Sequence, residues 1–143
     1  MRRVTLPNKL VLETLLEQLQ QGRKVTIPMK GRSMQPFLRP GDRVTLRPFE
    51  LRELRRGMII LARQDTQMLL HRVLRFDERQ CWLAGDNNLV QQEAVAVADV
   101  LAIAVKINRA GQIWYLDEPW RYQLGLAWYK ARPLRRVLKK LFD

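Results

Sequence analysis

Apolar and polar residues alternate through most of the middle of this chain, and a helical repeat of apolar positions shows only near its two ends. Leu12, Leu15, Leu16 and Leu19 fall at i, i+3, i+4 and i+7, which predicts a helix from Pro7 and Asn8 to about Gln21, capped by Gly22. Val25, Ile27 and Met29 then alternate with Lys24, Thr26 and Lys30 as in a half-buried strand. Pro28 lacks a ladder donor, so this strand should lie at a sheet edge. Such an edge is either blunted by its proline or open to an extended peptide that adds as a further strand. Val44 and Leu46 predict a strand ending near Pro48, and the charged run Glu50 to Arg56 reads as a solvated connection. Met58 to Ala62 shows no alternation, so both of its faces should be covered. Gln67 to Phe76 sends Leu70, Arg72, Leu74 and Phe76 one way and Leu69, His71, Val73 and Arg75 the other. Further strands are predicted at Gln80 to Ala84, over Val95 to Ile107 with a break at Asp99, and at Ile113 to Leu116 after a turn at Asn108 to Gly111. Helical periodicity returns from Pro119, with a kink at Pro133.

These elements describe one mainly β domain over residues 1–143, built from coiled antiparallel sheets with an N-terminal and a C-terminal helix. Residues 1–23 form the first helix, 24–116 the β-rich core and 117–143 a basic amphipathic helical segment. At 47% hydrophobic residues the chain can bury a real core. Its 26 basic and 14 acidic residues leave a net charge of +12, which draws it toward polyanions. The single Cys81 excludes an internal disulfide, and one cysteine with one histidine makes structural zinc an unsuitable reading; no metal or cofactor is expected. The longest nearly apolar run, Ala94 to Val105, is interrupted by Asp99 and is shorter than the ~20 residues that a spanning helix needs. No apolar signal region follows Arg2 and Arg3, so the expected location is the cytoplasm or the inner face of a membrane, held peripherally.

Three short segments carry candidate chemistry. Gly31 to Asp42, GRSMQPFLRPGD, holds Ser33 in a stretch where Pro36, Pro40 and Gly41 force a rigid, non-helical path. A hydroxyl held there is either a turn serine or a nucleophile, if a base reaches it. His71, the only histidine, is either a satisfied strand residue or that base, since imidazole titrates near neutral pH. Ala84 to Asn88, AGDNN, has the composition of a turn.

In this order, G-x-S-M-x-P-x-L-x-x-G-D, R-G-M-I-I, H-R-V and G-D-N-N resemble the signal peptidase and LexA-type serine peptidase superfamily, over Lys30 to about Lys106. H-R-V and G-D-N-N have the form of its Ser-His branch, the endoplasmic-reticulum and archaeal type; in the other branch a lysine stands at the position of His71. The resemblance implies Ser33 as nucleophile and His71 as base, and a preference for small residues flanking the scissile bond. It also implies that Met34, beside Gly31 and Arg32, lines a substrate pocket; plain core packing is the other reading of Met34. Signal peptidases carry a serine two positions before the nucleophile, where this chain has Gly31 and then Arg32, closer to the LexA type. The oxyanion would therefore depend mainly on backbone N–H groups such as that of Ser33. An acidic pair follows G-D-N-N in the Ser-His branch, whereas here Gln91 and Gln92 precede Glu93, leaving Asp86 as first candidate to orient His71 and Glu93 as second.

The resulting expectation is a serine endopeptidase acting on a peptide or protein, with a catalytically decayed peptide-binding or adaptor module of the same fold as the alternative. Self-cleavage is disfavoured, because no Ala-Gly or Cys-Gly pair precedes the serine loop. The segment from Pro119 mixes aromatic, leucine and basic residues. It reads as a helix packed on the domain with a solvated basic face, or as an interfacial helix on an anionic membrane. Nucleic acid is the weakest partner, since no DNA- or RNA-binding motif is visible.

Overall fold

The computed structural model describes residues 9–89 and 91–142, with side-chain surroundings from Glu13 onward. Helix α1 runs Lys9–Gln20; the expected start at Pro7 and Asn8 lies outside the described residues. Its Leu15 and Leu19 are buried against the sheet, and Leu16 packs at their margin.

Eight strands follow: β1 Val25–Pro28, β2 Arg43–Pro48, β3 Ile59–Gln64, β4 Gln67–Phe76, β5 Gln80–Ala84, β6 Glu93–Ala96, β7 Val100–Arg109 and β8 Gln112–Tyr115. They form one curled antiparallel sheet in the order β1-β2-β7-β3-β4-β5-β6, and β8 pairs with the end of β7. The hairpin β3–β4 pairs Ile60 with His71, and β5–β6 pairs Leu83 with Glu93. β1 lies at one edge, as Pro28 requires.

The sheet is buried on both faces, and strand parity sorts its apolar residues into two cores. Ile59 and Leu61 of β3, Met68 and Leu70 of β4, and Ala102 and Ala104 of β7 join α1 in one. Ile60, Ala62, Leu69, Val73, Ile103 and Val105 form the other, with Cys81 and Leu83 from β5. This accounts for the unbroken apolar run at β3.

Three expectations need revision. The connection Glu50 to Arg56 is not wholly solvated: it contains a short 3-10 turn, Leu51–Glu53, and sinks Leu54 to 1% exposure in the second core. The break near Asp99 is another 3-10 turn, Val97–Asp99, and the strand before it begins earlier than expected, at Glu93. The C-terminal segment is two helices, α2 Pro119–Lys130 and α3 Arg132–Phe142, separated at Ala131 rather than kinked at Pro133. Pro133 sits in the first turn of α3, where its missing N–H leaves no helical bond unmade.

Candidate active site

The serine loop is built from the sheet outward. It leaves β1 and enters β2, and its ends are tied by Met29 N–H to the Asp42 carbonyl at 2.7 Å and Gly41 N–H to the Met29 carbonyl at 2.8 Å. Asp42, almost wholly buried, takes two hydrogen bonds of 2.8 Å from the Arg109 guanidinium on β7 and a third from Arg39 N–H. Burial pulls the Asp42 carboxyl upward, but the Arg109 and Arg39 bonds outweigh it and hold the group below its ordinary value. Within the loop Met34 and Leu38 are fully buried, so two apolar anchors fix the backbone on either side of the turn after Ser33.

The loop is joined to the turn between β5 and β6. Asn87 N–H donates to the Ser33 carbonyl at 2.9 Å, and Asp86 N–H to the Met34 sulfur at 3.4 Å. Gly85 lies at the seam. A Cβ there would collide with the Ser33 carbonyl oxygen and would sit 3.2 Å from both Ser33 Cβ and His71 Nε2. The serine side chain and the imidazole therefore converge across Gly85, separated by no more than twice that distance.

His71 stands on β4 at 0% exposure, on the face shared with Leu69 and Val73. Its Nδ1 is 3.2 Å from Glu93 Oε2, both groups being buried. With the proton on Nδ1, the ring donates to the carboxylate and turns an unprotonated Nε2 toward Ser33. That Nε2 is buried and has no hydrogen-bond partner. A buried polar atom without a partner is costly, and such atoms in native proteins call for a functional or solvent explanation.

Asp86, the first candidate to orient His71, does something else. Arg72 Nε and NH2 reach its two carboxylate oxygens at 2.7 Å each, and Arg72 NH1 donates to the Gly57 carbonyl. Burial pushes the Asp86 carboxyl upward, and the Arg72 charge and hydrogen bonds oppose it. Arg72 follows His71 on β4 and so projects to the opposite face. Asp86 goes with the arginine, and Glu93 is the carboxylate on the histidine's side. Of the two readings of Met34, the structure shows core packing: the side chain is fully buried in the first core. Of its neighbours, Gly31 is half-buried and Arg32 exposed.

Sequence reasoning missed the residues that hold this turn from above. Gly125 of α2 lies so close over Arg72 that any Cβ would overlap the guanidinium. Trp128 Nε1 and Arg135 NH2 both donate to the Asp86 carbonyl, at 2.7 and 2.6 Å. Arg132 donates to the carbonyls of Asn88 and Gln91, and Trp128 meets Phe37 of the serine loop edge to face with centroids 6.2 Å apart.

Among the described residues no group of three or more His, Cys, Asp or Glu side chains could hold a metal ion, and no helix is long and apolar enough to cross a membrane. The arrangement suits proton transfer between a hydroxyl and an imidazole. No curated protein matches the chain. A family model described as Peptidase S24-like matches residues 2–107, which include the serine loop, β4, the Gly85 turn and Glu93, and the chain belongs to that family.

Proposed function

We propose that the chain is a serine endopeptidase in which Ser33 is the nucleophile, His71 the general base and Glu93 the positioning residue. The observation that carries this reading is the buried, partnerless His71 Nε2 beside Ser33 across Gly85, with Glu93 on the far side of the ring. An empty site often holds its catalytic hydrogen bond open, and rotation about the Ser33 Cα–Cβ bond moves the hydroxyl toward or away from the imidazole.

An extended peptide adds to the edge of β1 through main-chain hydrogen bonds, bringing a carbonyl to Ser33. Ser33 Oγ attacks that carbon while His71 Nε2 takes the hydroxyl proton. The negative oxygen is met by backbone N–H groups, that of Ser33 among them. His71 then returns the proton to the leaving amine, and water repeats the sequence to release the acyl group. Glu93 holds the ring and favours the imidazolium that forms.

The test is labelling of the intact protein by an acylating serine-reactive probe, followed by peptide hydrolysis. Labelling that is lost in Ser33→Ala, with hydrolysis lost in parallel, supports the reading. A folded protein that binds extended peptides but leaves Ser33 unlabelled overturns it in favour of the decayed binding module.

A further inference from the structure

We infer that the outward face of α3 is a docking surface for an anionic lipid bilayer. This stands apart from the peptidase reading. An amphipathic helix ordinarily turns its apolar stripe to the core and its charges to water. α3 is mounted the other way round. Arg132, 6% exposed, and the half-buried Arg135 face the domain and bond to the carbonyls of Asp86, Asn88, Gln91 and Trp128. Leu134, Val137, Leu138, Leu141 and Phe142 are 44–83% exposed. At about 100° per residue these five cover an arc of roughly 140°, a continuous apolar stripe. Four arginine-to-carbonyl bonds hold the helix in this orientation, so the stripe belongs to its docked position.

Charge decides what covers the stripe. Arg136, Lys139 and Lys140 are exposed around the helix, and no aspartate or glutamate occurs from Pro119 to Phe142. A surface that offers apolar depth for leucines and phosphate for lysines is an anionic membrane, with the helix lying between bilayer and domain. A second copy of this chain would bring cations against cations.

The experiment is co-sedimentation of the full chain with vesicles of phosphatidylcholine alone or mixed with phosphatidylglycerol. Binding is expected on the mixed vesicles, weakening as salt is raised. Leu138→Glu and Leu141→Glu should each lower it at least tenfold, and the double variant Lys139→Glu/Lys140→Glu by about 25-fold or more, at about fivefold for each lysine. Ile113→Glu, at an exposed apolar residue on β8, should leave it unchanged. The substituted side chains are exposed, and an unaltered melting temperature verifies the fold. No binding to the mixed vesicles, or equal binding by Leu141→Glu, overturns the inference. So does a dimer that Leu141→Glu dissociates in a protein that ignores vesicles, because the stripe would then be covered by a second copy.

Discussion

In β4, Leu69, Leu70 and Val73 turn into the two cores and leave no more than 1% of their surface to water, while the polar neighbours His71 and Arg72 find buried carboxylates. In α3 the leucines stand in solvent, and Arg132 and Arg135 are turned inward onto carbonyl oxygens. The sheet is held by apolar area; the last helix is placed by directional, charge-assisted hydrogen bonds, which fix orientation well. The two regions meet at Asp86, Asn88 and Gln91, where the sheet holds Asp86 through Arg72 and the helices reach the three carbonyls through Trp128, Arg132 and Arg135. The Gly85 turn packs on Ser33 and leads to Glu93. The comparison therefore separates groups that hold the fold from groups that hold the site.

The largest expected effect is on chemistry alone. Ser33→Ala should cut peptide hydrolysis by about 10⁴-fold or more while the thermal melt stays in place, because the serine contributes little to burial. Glu93→Gln should keep the fold and lower turnover by about 10²–10⁴-fold, a smaller loss than Ser33→Ala, with the pH profile of kcat/KM altered. An unchanged profile would sever Glu93 from His71. Asp86→Ala acts on the other side of β4: it strands the buried Arg72 and should cost about 3–5 kcal/mol in urea unfolding. A large activity loss at intact stability in that variant would reverse the division of labour between the two carboxylates.

A milder effect should come with acid. The folded chain holds the Asp42 proton more weakly than the unfolded chain, so its contribution to stability is full above the ordinary carboxylate value of 3.8 and fades as pH falls through the lower folded value. Urea melts taken down through that range, with Asp42→Asn as the flat control, measure it. The smallest effect should be Leu141→Ala on α3, within about 0.5 kcal/mol of the parent. Leu70→Ala, a leucine in the first core, should cost about 2–5 kcal/mol. Equal costs at the two leucines would mean that the stripe on α3 is packed after all.

Much of the architecture was legible in local pattern. Alternation marked the strands, the unbroken run at β3 marked a strand covered on both faces, and Pro28 marked an edge. The convergence of the Ser33 loop, H-R-V and G-D-N-N was legible only as an ordered set of motifs, since none of these segments states a distance. The motifs left Asp86 as the first candidate to orient His71 and Glu93 as the second. Direction at a turn is set by which neighbour claims the side chain, and Arg72 claimed Asp86.

The residue order by itself determined which stretches are strands and helices, which side chains share a face, and that α3 is amphipathic, because these follow from the fixed periods of 2 and 3.6. Only the tertiary structure decided which carboxylate meets His71 and which face of α3 looks outward. Both depend on partners far away along the chain, the parity of β4 against β5 and β6 in one case and the carbonyls of Asp86, Asn88 and Gln91 in the other. A repeat pattern records that a helix has two faces, and the hydrogen-bond acceptors waiting beneath it determine which one is buried.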